Sequence, residues 1–213
     1  MSFKLAEDQA ELSPAQKQFI SSKLRRPVQQ VFTIRQVHGK RIVKVGADQV
    51  HPRPLLEADG MVTKAVNVPL SVRTADCLSI FIFDPKEKGI GLVHAGWKGT
   101  EQKIVIEAIR RMREEWKTEA KDLKVAFGPS IRKCCYEVGE EFFEYFPAEI
   151  VKIDGKNFLD LPLVNKKQLL NTGVQEKNIF DCGACTFCDT KYFSFRRDGE
   201  AAGRMISLMM LKE

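Results

Sequence analysis

Two short, almost continuously apolar stretches, residues 78–83 and 90–93, narrow the folds open to this chain more than any other feature. Such runs are typical of strands that a sheet buries on both faces. No apolar run approaches the roughly 20 residues that span a bilayer, so no membrane-spanning segment is expected. The sequence therefore predicts a sheet that is covered on both of its faces.

The clearest predicted helix follows these two strands. Apolar residues recur there at helical spacing, namely Val105, Ile109, Met112 and Trp116. Shorter helices are predicted at residues 14–24, 139–145 and 165–171. Asn165 is the expected N-terminal cap of the last one.

Further strands are predicted from alternating or β-branched segments at residues 30–37, 41–45, 70–74 and 124–127. A turn at Gly39-Lys40 is expected to join the first two as a hairpin. Phe193 and Phe195 alternate with polar residues and indicate a late strand. Because strands and helices are mixed, the expected fold class is α/β (α+β), a mixed β-sheet sandwich flanked by helices.

The length of 213 residues is typical of one domain, here residues 1–213. A net charge of +6 favours an anionic substrate such as phosphate. Basic and acidic residues interleave, which indicates an exposed surface rather than a nucleic-acid-binding patch. Lys23, Arg25 and Arg26 are expected at an exposed helix end without a catalytic role. The first residues lack the apolar segment of a secretory signal, so a cytoplasmic protein is expected. No feature indicates an oligomeric state.

The chain contains 3 histidines, fewer imidazoles than a multi-copper oxidase centre needs. His38, Cys77 and His94 each end or follow a predicted strand, so they can converge at one rim of a layered fold. Two imidazoles and one thiolate suit one zinc ion, or one copper ion, and leave a position open for water or substrate. The alternative is that the three residues are unrelated, since no pair has a short diagnostic spacing.

Residues next to two of these candidates predict an anion site. A glycine turn after His94 leads into a helix that Thr100 could cap, and amides at a helix start favour an anion. If the chain before Cys77 is extended, Arg73 shares a face with the thiolate and could bind phosphate, while Asp76 points to the other face. A purely structural turn and structural ion pairs of Arg73 and Asp76 are the alternatives.

The 6 cysteines are expected as thiols, metal ligands or nucleophiles before disulfides. Cys182, Cys185 and Cys188 recur every three residues, and Cys134 or Cys135 could supply a fourth thiolate for an iron–sulfur or zinc site. We favour ordinary packed thiols, because a ferredoxin-like run would carry its own fourth cysteine followed by proline. Cys182 is expected to be dispensable, whereas Cys185 and Cys188 are expected to matter more.

A set of short motifs occurs in the order that is typical of one known family. The motifs are Gln36-Val37-His38-Gly39, Asp59-Gly60-Met61-Val62-Thr63, Thr74-Ala75-Asp76-Cys77, His94-Ala95-Gly96-Trp97-Lys98-Gly99, Gly128-Pro129-Ser130-Ile131, Cys134-Cys135-Tyr136-Glu137-Val138-Gly139, Cys185-Thr186-Phe187-Cys188, and Phe195-Arg196-Arg197-Asp198-Gly199 with Gly203-Arg204. Over residues 30–210, this set resembles the YfiH-like family, also called the laccase-domain or multi-copper polyphenol oxidoreductase family.

The resemblance implies a CNF/YfiH-like sandwich with a catalytic zinc on His38, Cys77 and His94. It also implies phosphorolysis of purine nucleosides (adenosine, inosine and methylthioadenosine) and deamination of adenosine, with a small-molecule nucleoside and phosphate as partners. The candidate catalytic residues are Cys77, His94, Arg73 and Asp76. The candidate substrate-binding residues are Gln36, Trp97, Tyr136, Arg196 and Arg197, of which the aromatic rings would stack and the guanidinium groups would bind phosphate.

Other functions stay open at this point. A metal-free hydrolase would use Cys77 as nucleophile and His94 as base, on a peptidoglycan precursor, since bacterial members are linked to peptidoglycan editing. An older family label favours a copper-dependent polyphenol oxidase, and a non-enzymatic nucleotide-binding protein is a further alternative. Many members carry an arginine- and glycine-containing segment before the first motif. It is not recognisable in the 35 residues before Gln36, which predicts a more open site or altered substrate choice.

Overall fold

The computed structural model describes residues 18–22, 31–47 and 55–212. The strands are β1 (Ile42–Lys44), β2 (Gly60–Thr63), β3 (Leu70–Thr74), β4 (Leu78–Asp84), β5 (Gly89–Ala95), β6 (Lys124–Phe127), β7 (Glu137–Val138), β8 (Ile150–Ile153), β9 (Lys156–Leu159), β10 (Ile179–Asp181) and β11 (Met205–Met209). The α-helices with defined ends are α1 (Trp97–Glu101), α2 (Ile104–Trp116), α3 (Leu161–Asn171) and α4 (Phe195–Asp198).

A six-stranded mixed sheet forms the centre of the described structure, in the order β1-β2-β5-β4-β6-β10. Its inner neighbours are antiparallel, whereas β1 pairs with β2 and β10 with β6 in parallel. Strands β3 and β11 form a separate antiparallel pair, and β7, β9 and β8 form a small third sheet. The mixed α/β architecture predicted from the sequence is confirmed.

Strands β4 and β5 separate two apolar cores, because successive side chains of a strand point to opposite faces. Leu78, Ile80 and Ile82 of β4 belong to the core beneath α2. Phe81 and Phe83 pack instead against the core that β3 contributes to. Both strands are therefore covered on both faces, as their apolar sequences predicted.

Helix α2 confirms the prediction from its apolar periodicity. Val105, Ile109 and Met112 are buried against the sheet. Full burial of an aliphatic side chain of this size contributes about 1.5–3 kcal/mol. Arg110 lies on the solvent side, where it pairs with Glu107 and Glu114. Strands β3, β4, β5 and β6 likewise lie at the predicted positions, within a residue or two of the expected ends.

The predicted hairpin around Gly39-Lys40 is wrong. Strand β1 pairs with β2 in parallel, and the described part of 30–37 makes isolated bridges, Phe32 with Leu70 and Arg35 with Glu57. A carboxylate from elsewhere in the chain binds the backbone N–H groups that a hairpin turn needs, as described below.

Three other predicted elements differ from the structure in their first residue or in their type. Helix α3 begins four residues before Asn165, because the side chain of Asp160 accepts from the backbone N–H of Leu163 and caps it. The expected late strand at Phe193 and Phe195 is instead α4, which Ser194 caps. The segment 139–145 forms a 3-10 helix, Glu140–Glu144, rather than an α-helix.

Part of the predicted first helix lies outside the described residues, although residues 18–22 are helical. Lys23, Arg25 and Arg26 also lie outside them, so their predicted exposure stays a prediction. Within the described ranges, no helix combines the length and apolar character needed to cross a membrane.

Candidate metal centre

Three strand ends meet at one rim of the central sheet. Cys77 directly precedes β4, and His94 lies one residue before the end of β5. The two strands are antiparallel neighbours with Ser79 opposite His94, so the start of β4 adjoins the end of β5. Asp59 directly precedes β2, and its carbonyl oxygen accepts from the backbone N–H of His94 at 2.7 Å. The sheet topology thus brings Cys77 and His94 together, as the sequence predicts.

The ligand atoms of His38, Cys77 and His94 lie within 4.8 Å of one another. We call these three residues the His-Cys-His set. Their two rings meet edge to face with centroids 4.8 Å apart. His94 is buried, Cys77 is half-buried and His38 is exposed, so the set opens to solvent on one side. Two imidazoles and a thiolate with an open side match the ligand number of a catalytic zinc site.

Asp59 orients two of the three ligands. Its buried carboxylate accepts from the backbone N–H groups of Val37, His38 and Gly39 and binds Nδ1 of His94 at 2.8 Å. His38 has a positive φ of 60°, an uncommon conformation that these contacts hold in place. With Nδ1 donating to Asp59, Nε2 of His94 is the ring atom free to bind a metal.

The electrostatics of the set favour a thiolate. Burial raises the pKa of Cys77, but the charge and hydrogen bonds of His94 and His38 outweigh it and lower the value to about 6. Burial lowers the pKa of His94, but Cys77 and Asp59 outweigh this effect and raise it to about 9. Without a metal ion, the two groups therefore form a thiolate–imidazolium pair at neutral pH.

Two glycines allow helix α1 to approach the set. A Cβ on Gly96 would lie 3.0 Å from Cδ2 of His38 and 3.1 Å from Sγ of Cys77. A Cβ on Gly99 would lie 2.8 Å from the backbone oxygen of Gly39, closer than real contacts allow. Thr100 does not cap this helix, since α1 already begins at Trp97.

The segment before Cys77 is not extended as expected. Residues 75–77 bend between β3 and β4, and Asp76 has a positive φ of 83°. The shared strand face predicted for Arg73 and Cys77 is therefore wrong. The carboxylate of Asp76 accepts from the hydroxyl of Thr186 and from the backbone N–H of Arg196, both at 2.6 Å, and thereby links this bend to the loop at Thr186 and to helix α4.

Within the described structure, the guanidinium group of Arg73 has one unpartnered nitrogen. Its Nη2 atom is buried and has no hydrogen-bond partner among the described residues. Desolvation by burial lowers its pKa from the usual 12.5. The side-chain amide of Gln36 donates one hydrogen bond to the backbone oxygen of Arg73 and accepts one from its backbone N–H, both at 2.8 Å. Gln36 thus positions the end of β3 next to His38.

Tyr136 and Arg196 lie close to the set. Burial raises the pKa of Tyr136, and the negative charge of Cys77 raises it further, which indicates that the two side chains are close neighbours. The guanidinium group of Arg196 lies 5.3 Å from the centre of the Tyr136 ring. The same guanidinium group donates to the backbone oxygen of Glu137 at 2.8 Å.

Two predicted substrate-binding residues are engaged elsewhere. All five N–H groups of the Arg197 side chain are used, three with backbone oxygens of the loop around Thr186 and Tyr192 and two with Asp198. Trp97 is half-buried and packs against Phe142, with ring centroids 4.9 Å apart. Neither arrangement leaves the whole group free for a substrate.

The sequence does not predict a role for Asp59, although it lies within one of the quoted motifs. The remaining cysteines, for which ordinary thiols are favoured from the sequence, are grouped in the structure. The sulfur atoms of four of them lie within 4.8 Å of one another, namely Cys134, Cys135, Cys185 and Cys188. We call these residues the four-cysteine cluster. Cys182 is not part of it.

The fold and the rim together define a mixed α/β protein with two imidazoles and a thiolate that could hold one metal ion. The chain belongs to the family described as multi-copper polyphenol oxidoreductase laccase, whose model matches residues 1–212. This confirms the resemblance inferred from the motifs.

Related proteins carry two kinds of name. A purine nucleoside phosphorylase of Clostridium acetobutylicum is 38% identical over 194 residues, which cover 87% of this chain and 78% of that protein. A protein named adenosine deaminase RL5, from an unknown prokaryotic organism, is 33% identical over 68% of this chain and 59% of its own length. The crystal structure of the Bacillus licheniformis hypothetical protein YfiH superimposes with a TM-score of 0.86 at 29% identity, covering 93% of this chain and 80% of that one.

Proposed function

We propose that this protein is a zinc-dependent purine nucleoside phosphorylase. The observation that carries the proposal is the His-Cys-His set, which Asp59 orients and which is open on one side. The phosphorylase name of the Clostridium relative supports the substrate class. Adenosine, inosine and methylthioadenosine are the proposed substrates, with phosphate as the second substrate.

The donor set fits zinc. Two ring nitrogens and a thiolate are ligands that zinc accepts, and the open side leaves room for a fourth. The glycine at position 96 also keeps the space beside His38 and Cys77 clear, since a Cβ there would contact both. When bound by His38, Cys77 and His94, zinc supplies Lewis acidity at the reacting centre.

Phosphorolysis requires the chain to bind an anion next to a nucleoside. A phosphate oxygen forms a bond to C1′ of the ribose while the bond from C1′ to the purine nitrogen breaks, and the purine leaves with a proton. Arg73 offers a buried guanidinium nitrogen without a partner in the described structure, which suits a phosphate oxygen. Arg196 and Tyr136 offer a second cation and an aromatic ring close to Cys77.

Adenosine deamination is a second candidate, because the relative RL5 carries the name adenosine deaminase. In that reaction water replaces the amino group of the purine ring and ammonia leaves. The same open set could serve both reactions, since each needs a polarised oxygen nucleophile beside a purine nucleoside.

The metal-free hydrolase retains one specific observation in its favour. Cys77 and His94 form a thiolate–imidazolium pair, which is the charge state that cysteine hydrolases use. That mechanism needs no contribution from His38. The same donors also suit one copper ion, but the 3 histidines of the chain are too few for the multi-copper centre that the family label implies.

Product analysis separates phosphorolysis from deamination. Purified protein with defined zinc content is incubated with adenosine, with and without phosphate. Adenine and ribose 1-phosphate that form only with phosphate support the proposal. Inosine formed without phosphate supports deamination. Base release independent of phosphate would contradict the phosphorylase assignment.

Variants separate the zinc enzyme from the hydrolase. His38→Ala, Cys77→Ala and His94→Ala each remove one ligand, so each should lose activity and the zinc ion of the His-Cys-His set. Cys182→Ser is the matched control, since its thiol lies outside both cysteine-containing groups. A His38→Ala protein that turns over normally, while Cys77→Ala and His94→Ala are inactive, would favour the hydrolase instead.

A further inference from the structure

The four-cysteine cluster lies outside the His-Cys-His set and has no part in the proposed function. Sγ of Cys188 is 3.1 Å from Sγ of Cys135 and 3.7 Å from Sγ of Cys134. All four sulfur atoms, including that of Cys185, lie within 4.8 Å of one another. Four thiols on two separate segments thus surround one small volume.

These distances suit a single metal ion. Four sulfurs placed tetrahedrally at about 2.3 Å from one zinc ion are about 3.8 Å apart. An iron–sulfur cube would separate its cysteine sulfurs further, because each sulfur binds a different iron. Cys185 and Cys188 also have the spacing of two intervening residues that recurs in zinc sites.

The backbone around Cys185 supports a ligand role. The two cysteine-bearing turns are held together independently of their side chains, because Ser130 and Cys185 form a β-bridge. The N–H of Thr186 donates to the backbone oxygen of Ser130 at 3.0 Å.

Ordinary packing does not explain the cluster. A free cysteine that serves only as a small apolar residue is usually buried. Here Cys134 and Cys188 are exposed, and Cys135 and Cys185 are half-buried. Four thiolates around a divalent ion carry a net charge of two negatives. Arg132, Lys133 and Asp160 line the surface cavity next to Cys134 and Cys185, where Arg132 pairs with Asp181 and Lys133 with Asp160.

We propose that Cys134, Cys135, Cys185 and Cys188 bind one structural zinc ion, separate from the His-Cys-His set. Zinc takes four thiolates as ligands, and their protons pass to solvent. All four ligand positions are then filled by protein, so this site holds no substrate. The proposal does not depend on which reaction the protein catalyses.

The position of the four-cysteine cluster indicates how a bound zinc ion would stabilise the structure. Thr186 lies between Cys185 and Cys188, and its hydroxyl donates to Asp76 at 2.6 Å, next to Cys77. A zinc ion in the cluster would fix the loop that supports the bend before β4. Its loss should therefore lower the stability of the fold and loosen one side of the His-Cys-His set.

The test is metal content by mass spectrometry on protein purified under reducing conditions with zinc supplied. We expect two zinc ions per chain in the native protein and one in Cys185→Ser or Cys188→Ser. Cys182→Ser, the matched control, should keep both, and His94→Ala should keep the one in the cluster. A native protein with a single zinc ion, which His94→Ala removes, would overturn the proposal.

A second measurement covers the case in which the variants do not fold. Cobalt added to metal-free native protein should fill two sites, and the tetrathiolate site should show intense thiolate-to-cobalt charge-transfer absorption. Zinc should protect all four cysteines of the cluster from alkylation while Cys182 reacts. Iron with an iron–sulfur absorption spectrum, or disulfides among these cysteines in freshly purified protein, would overturn the zinc assignment.

Discussion

Replacement of Asp59 by asparagine tests how the His-Cys-His set is oriented. The carboxylate is fully buried, and each of its oxygens accepts two hydrogen bonds. Oδ1 binds the N–H of His38 and Nδ1 of His94, and Oδ2 binds the N–H groups of Val37 and Gly39. Asparagine keeps the shape but turns one oxygen into an NH₂ group, whichever way the amide points.

The cost follows from this geometry. Two of the four accepted bonds are lost, and their donors then face another donor. A hydrogen bond to a charged group contributes about 1.5–3 kcal/mol, so with partial relaxation we expect a loss of about 3 kcal/mol. At about 2–4 °C per kcal/mol for a chain of this size, the melting temperature should fall by about 6–12 °C. Zinc affinity should fall about 10–100-fold, because the ring of His94 loses its orienting partner.

Calorimetry measures the first effect, and competition with a chromophoric zinc chelator measures the second. Asp154→Asn is the matched control, since Asp154 is exposed in the turn between β8 and β9. Its effect should stay within about 0.5 kcal/mol. If Asp59→Asn melted within about 2 °C of the native protein and bound zinc equally well, the orienting role assigned to Asp59 would be refuted.

The pKa of Asp59 also predicts that the stability of the fold depends on pH in the acidic range. Burial raises its pKa, but His94 and the amides of Gly39 and His38 outweigh this effect and lower it below the usual 3.8. A carboxyl group with a lowered pKa stabilises the fold above its unfolded pKa, and this contribution disappears as the pH falls through the folded value. The stability difference between the native protein and Asp59→Asn should therefore shrink below about pH 4.

Three further predictions concern separate parts of the structure. In metal-free protein, the rate at which Cys77 is alkylated, followed by peptide mapping, should be half-maximal near pH 6. The reason is that the reactive thiolate is lost as the pH falls through that value. A midpoint near pH 9 would contradict the lowered pKa of Cys77. Gly99→Ala should lose about 1–3 kcal/mol in urea denaturation, because its Cβ would meet the backbone oxygen of Gly39. Met112→Ala should lose about 2–5 kcal/mol and leave zinc content unchanged.

The elements predicted best are those whose sequence pattern and environment agree locally. Helix α2 shows a clear apolar stripe, and β4 and β5 are mostly apolar because both faces are covered. The local sequence pattern predicted the wrong element where a side chain forms hydrogen bonds with backbone N–H groups. Asp59 binds the amides of residues 37–39 and prevents the expected hairpin, and Ser194 caps a helix where alternation indicated a strand.

In the candidate site, too, some features could be predicted from the sequence and others could not. The sequence predicts the three residues of the His-Cys-His set because each ends or follows a predicted strand and lies within a recognisable motif, although the residues before His38 form isolated bridges rather than a strand. The hydrogen-bond partners of Asp76 could not be predicted, since Thr186 is 110 and Arg196 is 120 residues away and only the folded chain brings them together. Residue type identifies a ligand from the sequence, whereas its orienting partners depend on tertiary contacts.

The same limit explains why the four-cysteine cluster was not favoured from sequence. Cys135 and Cys188 are 53 residues apart, and neither segment alone contains four ligands. Their meeting depends on the β-bridge between Ser130 and Cys185, which no local pattern encodes. That bridge also places Thr186 beside Asp76, so one loop contributes both to the cluster and to the bend before Cys77. The rim of the sheet is therefore supported on one side by Asp59 and on the other by a loop that, on our proposal, a second zinc ion stabilises.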